Sequence, residues 1–190
     1  MKINKEILVL VAAYILLLPV MFILPFFSMP GYSIIRNTLS ELGAQLTPNA
    51  WIMNLELVFL AFGSMIAGWV YYKGFGFQKI ILVLFGISLI LASFFNHAPI
   101  NPDIRYNINE NGWHAYFISA TGLSFIILSV TTGFIPEKHP DRLPSLFTII
   151  SVIILSALMS EAEMLAGIWQ RLLFIISFGW MIYIFKSGKL

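Results

Sequence analysis

The chain has 190 residues, 59% of them hydrophobic and only 11% charged, with a net charge of +2 and a mean hydropathy of +0.88. A soluble domain carries about 25% charged residues, so the composition excludes an ordinary water-soluble globule and makes the bilayer the expected solvent. Cysteine is absent, which removes disulfides and thiolate metal sites. Basic residues never cluster with interleaved aromatics on a polar face, which argues against nucleic-acid binding.

The first apolar stretch runs from about Ile7 to Phe27, behind Lys2 and Lys5. It is too long for a signal-peptide core and ends in no small-residue cleavage site, so it reads as a retained helix. Pro19 and Pro25 are expected to kink it. Between Met29 and Ala50, Ile35, Leu39 and Leu42 recur at i, i+4 and i+7, with Asn37, Ser40 and Glu41 on another face. That spacing predicts a short amphipathic helix at the interface, closed by Gly43 in a left-handed conformation. Thr47-Pro48 then reads as an N-cap with proline at the first helical position. Further spans are expected over about 51–72, 78–95, 113–135, 143–160 and 168–185, each long enough to cross roughly 30 Å of hydrocarbon. The prediction is an all-α, single-domain bundle of six transmembrane helices.

Lys/Arg asymmetry sets the expected orientation. With both termini cytoplasmic, Lys2, Lys5, Lys73, Lys79, Lys138, Arg142, Lys186 and Lys189 lie inside, and only Arg36, Arg105 and Arg171 lie outside. The acids run the other way: only Glu6, Glu137 and Asp141 fall inside. Trp51, Trp113 and Trp169 fall at the outer boundary, as an aromatic belt does. A multi-pass cell-membrane protein surrounded by lipid follows. The longest polar interruption, NHAPINPDIRYNINENGWH over Asn96 to His114, is then external.

The segment YSIIRNTLSELGA, followed by a proline and a second span, resembles the bacterial and archaeal membrane family DUF998. Three elements carry the likeness: Ser40-Glu41-Leu42-Gly43-Ala44, the stretch Phe95 to Asp103 with His114, and Gly167-Ile168-Trp169-Gln170-Arg171. The resemblance covers nearly the whole chain and implies a six-span fold with no assigned activity. His97-Ala98-Pro99 stands where a simpler Phe-Pro is usual.

All three elements fall on one side of the expected membrane, and polar groups near hydrocarbon usually face a bundle interior or a water-filled cavity. The candidate ligand-binding residues are Arg171, Gln170, Asn37, Glu56 and Glu163. Arg171, about one turn inside the last span, needs compensation. A structural ion pair with Glu41, Glu56 or Glu163, an anion clamp for a lipid phosphate or carboxylate, and snorkelling into the headgroups are the alternatives. Geometry favours a carboxylate from the first half of the chain, Glu41 or Glu56. His97 and His114 close the two ends of one hairpin. They read either as helix-end caps or, with Asp103, Glu41 or Glu163, as a zinc-type site whose bound water attacks an ester or amide, with Glu41 and Ser40 as catalytic candidates. Bis-histidine haem ligation ranks below both. Membrane hydrolases of the alkaline ceramidase and progestin-receptor type offer a comparison, but their late His-x-x-x-His pair is replaced here by Gln170 and Arg171. Ser156, Ser160 and Glu163 form a polar stripe that also suits close helix packing. No Gly-x-Ser-x-Gly, P-loop or His-Glu-x-x-His motif occurs. Two functions follow: binding, with or without hydrolytic processing, of an amphiphile in an outward-facing pocket, or a non-catalytic sensor or small transporter whose polar cluster is structural or a gate.

Overall fold

The computed structural model describes residues 5–101, 103–135 and 142–187. Lys2, Glu137, Lys138, Asp141 and Lys189 lie outside the described residues. Among the described residues the regular structure is all helical, and six helices are long and apolar enough to span a bilayer. They are α1 (Lys5–Phe22), α3 (Ala50–Tyr71), α4 (Gly76–Phe94), α5 (Ile108–Gly133), α6 (Arg142–Glu161) and α7 (Ala166–Ser187); α2 (Leu39–Leu42) is a single turn between the first two.

Several boundaries differ from the sequence reading for local reasons. Pro19 stays inside α1. Pro25 ends the apolar stretch as a helix rather than bending it, opening a separate 3-10 turn at Leu24–Phe27. Between Met29 and Ala50 only four residues are helical, capped by a box in which the Thr38 side chain and Glu41 satisfy each other's backbone N–H. Leu39 and Leu42 are fully buried, so this short helix packs its apolar side into the bundle. Gly43 has φ −93°, not a left-handed value. The N-cap of α3 is Asn49, itself left-handed at φ 59°, rather than Thr47. Helix α5 begins five residues before Trp113, because Asn107 caps it by accepting from the N–H groups of Asn109 and Glu110. Helix α6 stops at Glu161, so Glu163 lies on a 3-10 turn beyond it and off the expected stripe.

Consecutive spans pack side by side, and α7 closes the ring on α1 while also reaching α3. Phe178 and Trp180 extend its contacts to Phe85 of α4 and Phe125 of α5. Helix α7 is accordingly the most buried span and α6, which packs against α5 and α7, the least. Close approach has sequence causes: a Cβ at Gly63 would stand 2.8 Å from the Leu10 backbone, letting α1 and α3 meet. The α1–α3 connection with its α2 turn and the α4–α5 and α6–α7 connections gather at one end, called here the polar end. Lys5, Lys73, Lys79, Arg142 and Lys186 gather at the other.

Candidate functional site

Two knots of side chains and one cavity make up the polar end. The first knot docks the 32–40 segment onto the start of α7. A helix N-terminus leaves four N–H groups without intrahelical partners; here the Gly167 and Ile168 N–H groups donate to the carbonyls of Arg36 (3.2 Å) and Ile35 (3.3 Å). Backbone can come this near only because residue 167 lacks a side chain, since a Cβ there would strike the carbonyls of Ile34 and Asn37.

Arg171 completes the dock. It is 3% exposed, and its five hydrogen bonds go to the carbonyls of Met21, Ile34, Asn37 and Gly167 and to the Tyr32 phenol. The Met21 carbonyl is an orphan with a cause: its intrahelical donor would be residue 25, a proline with no N–H. The cation thus caps the end of α1, the favourable terminus for positive charge. The expected carboxylate partner is corrected by this geometry. Arg171 does reach into the first half of the chain, but to backbone oxygens and the Tyr32 phenol, and among the described residues none of its hydrogen bonds goes to an acid. Tyr32 Oη accepts from Arg171 at 2.9 Å and donates toward the Thr38 (2.7 Å) and Asn37 (3.1 Å) carbonyls. Burial pushes this phenol above its ordinary pKa, with the guanidinium working the other way.

Glu41 is engaged elsewhere. One carboxylate oxygen takes the Thr38 N–H (2.6 Å) and hydroxyl (2.9 Å), the other the Asn37 amide (3.1 Å). Asn37 in turn accepts the Ser33 N–H. Gln170 Oε1 accepts the Leu39 N–H, and its Nε2 stands 3.5 Å from Ser40 Oγ. Asn37, Ser40, Glu41, Gln170 and Arg171 are therefore brought together, as caps and clamps on backbone.

The second knot ties down the 96–114 stretch. His114 is 5% exposed, and its Nδ1 faces the last-turn carbonyls of α4, Ala92 (2.9 Å) and Phe95 (2.7 Å). His97 Nδ1 faces the Ala98 carbonyl at 2.8 Å. The two rings meet edge to face with centroids 5.5 Å apart. Among the described residues no third His, Asp or Glu joins them in a metal-holding group. Asp103 is exposed on the loop, its N–H on the Asn101 side chain. Glu163 is exposed as well, and Glu56 is buried in α3 with Oε1 unpartnered. These three acids stand apart from both knots.

A family model described as a protein of unknown function, DUF998, matches residues 10–185. The chain belongs to the DUF998 family. No curated protein and no solved structure matches it. The structure gives physical content to the elements that carried the resemblance: in this DUF998 chain the Ser40 and Gly167–Arg171 elements are the two faces of one dock, and His114 caps α4.

Sequence reasoning missed four DUF998-chain residues. Tyr32 bridges Arg171 to the loop. Gln45 stitches the loop, its side chain reaching Asn96 O (3.1 Å) and both Asn107 O (3.0 Å) and N (2.9 Å), while its own N–H meets His97 O. Asn54 joins Gly43 to Asn96. Ser177, fully apolar in its sequence surroundings, lines the cavity. No letter pattern flags Tyr32 or Ser177; Gln45 and Asn54 were readable, as amides flanked by apolar residues that need partners once buried.

That cavity lies under the dock, in the polar-end half of the bundle, with a volume of about 450 Å³. Helices α4 and α7 form its floor, with Phe85, Leu89, Phe174 and Phe178. Its rim carries exposed residues of both outer helices, Ser119, Gly122 and Leu123 on α5 and Ser156 and Ser160 on α6. The same two helices are close at the other end, where a Cβ on Gly133 would stand 3.3 Å from Ser145 Cβ. The opening therefore lies on the flank of the bundle, between α5 and α6.

Proposed function

We propose that this DUF998 chain binds an amphiphilic, lipid-like molecule in the cavity between α5 and α6, in the cell membrane, with both termini cytoplasmic and the polar end outside. The orientation rests on the basic residues, eight on the side of the termini against three on the other. The observation that carries the binding reading is the cavity itself. Its volume falls in the range of small-molecule sites, about 300–1,000 Å³. It is apolar along the floor, rimmed by hydroxyls, and open laterally where a chain can enter from the bilayer without crossing water.

The polar end favours binding over hydrolysis. A catalytic base needs a carboxylate free to take a proton, and both oxygens of Glu41 are held by capping contacts. An anion clamp needs a guanidinium that presents a two-toothed edge to its ligand, and Arg171 is 3% exposed with Nε and Nη1 on backbone carbonyls and Nη2 on the Tyr32 phenol. A DUF998 scaffold of this kind holds the cavity's roof rigid through backbone clamps and leaves the chemistry to the ligand's fit.

The test fills the cavity. A Cβ at Gly122 meets nothing within 4 Å, so Gly122→Trp projects an indole into open volume without disturbing packing. Purified wild-type protein, washed in detergent and extracted with solvent, is expected to release about one lipid per chain that the variant lacks. Equal lipid retention by both proteins would remove the cavity as the site.

A further inference from the structure

The cavity's polar groups specify which amphiphile it takes. None of its lining residues is charged. The nearest cation in sequence, Arg171, follows lining residue Gln170 directly, yet its donors are directed at the dock behind it. What the lining offers instead is neutral donors. Ser177 is 6% exposed and its hydroxyl has no hydrogen-bond partner. Among the described residues the helical Ser64 hydroxyl shares this state but does not line the cavity, whereas Ser119, Thr121, Ser129 and Ser151 fold back onto the carbonyl four residues earlier. A buried O–H without a partner is costly, and a ligand acceptor removes that cost.

Gln170 supplies the second donor. Its oxygen is held by Leu39 N–H, which fixes the amide plane and aims the NH2 group. That group has two protons, and its one neighbour, Ser40 Oγ, stands at the outer limit of hydrogen bonding at 3.5 Å. Gln170 and Ser177 are seven residues apart, so they share one face of α7 about 10 Å apart along the helix axis. The donor nearer the polar end meets a head group, and the deeper one meets an oxygen further along the molecule.

We propose that the ligand is a neutral single-chain amphiphile, with an uncharged hydroxyl, ester or amide head held by Gln170 Nε2 and a further oxygen held by Ser177 Oγ. This rests on the reading of the cavity as a ligand site. An ionised carboxylate or phosphate would leave water for a site with no counter-charge, where desolvation outweighs what two neutral donors return. A two-chain phospholipid is also too bulky for the volume.

The experiment titrates purified full-length protein in detergent with three probes that share one oleoyl chain and differ in head: 1-monooleoylglycerol, oleate at pH 9, and oleoyl lysophosphatidylglycerol. Native mass spectrometry counts the bound copies. Monooleoylglycerol is expected to bind one per chain, at least about ten-fold tighter than either anion, with Ser177→Ala weakening it about three- to ten-fold, as loss of one hydrogen bond does. Alanine is close to isosteric there and favours helix, so the variant folds. Gly122→Trp is expected to abolish binding. Equal affinity for all three probes, or a preference for an anion, each abolished by Gly122→Trp, would overturn the neutral-head inference and leave the cavity reading standing. An unchanged affinity in Ser177→Ala would overturn the role of that hydroxyl. Binding of every probe that Gly122→Trp leaves untouched marks annular lipid only and would overturn the cavity reading as well.

Discussion

Replacing Arg171 with methionine tests whether backbone, not an acid, compensates the buried charge. The substitution conserves length and apolar volume but removes every donor. Two carbonyls, Met21 and Ile34, then lose their hydrogen-bond donor, and Asn37 keeps only the longer contact from Tyr32. Each stranded oxygen costs about 1–3 kcal/mol, against which the variant no longer has to desolvate a guanidinium. The net expected loss is about 3–4 kcal/mol, inside the roughly 2–6 kcal/mol that two stranded oxygens cost. At about 2–4 °C per kcal/mol for a chain of this size, Tm falls by roughly 10 °C. Thermal unfolding in detergent, followed by size-exclusion of the surviving fraction, reads this directly. The decisive arm is the double variant. Were a carboxylate the partner, removing it together with Arg171 would restore stability. Backbone carbonyls cannot be deleted, so Arg171→Met is expected to cost as much in a Glu41→Gln or a Glu56→Leu background as in the parent. A clearly smaller cost in either background, or an Arg171→Met variant as stable as the parent, would refute the reasoning.

Gly167→Ala is expected to lower Tm, although alanine in an open helix position gains about 0.5–1 kcal/mol over glycine; a rise would mean the 34–37 backbone does not sit on α7. His114→Ala strands the Ala92 and Phe95 carbonyls and should cost about 1–3 kcal/mol, while adding a metal chelator to wild type changes nothing; a chelator-induced fall in Tm would replace the capping role with a metal one. Glu56→Leu removes an unpartnered buried oxygen, so Tm is expected to hold or rise, and a clear fall would reveal a partner for the acid.

The spans were legible because apolar length is written in the letters themselves: six stretches, separated by charge, proline and glycine, survive as six helices within a few residues. Boundaries slipped where a cap outweighed hydropathy. Asn107 starts α5 in a polar stretch that no hydropathy argument assigns to a span, and Pro25 stops α1 inside an apolar one. That Asn37, Ser40, Glu41, Gln170 and Arg171 converge was legible, since the alternation of spans puts them on one side. What they touch was not. Arg171 finds carbonyls, and a carbonyl is present at every residue, so no letter marks the four that matter. The residue numbers held one clue: a proline at 25 frees the oxygen at 21, which a cation 150 residues later caps. Ser177 was hidden for the opposite reason, since a lone serine in an apolar helix usually bonds its own backbone and only the geometry shows that this one does not.

The central claim is that a clamped polar end roofs a lipid-facing site, and its most direct test is a structure of the protein determined in lipid nanodiscs. One chain-shaped density is expected in the cavity between α5 and α6, running along α7 from Gln170 to Ser177, with its head at the Gln170 amide and Arg171 still held by the Met21, Ile34 and Asn37 carbonyls. Helices α5 and α6 closed against each other with no cavity, or Arg171 turned into the cavity onto an anionic head group, would contradict it.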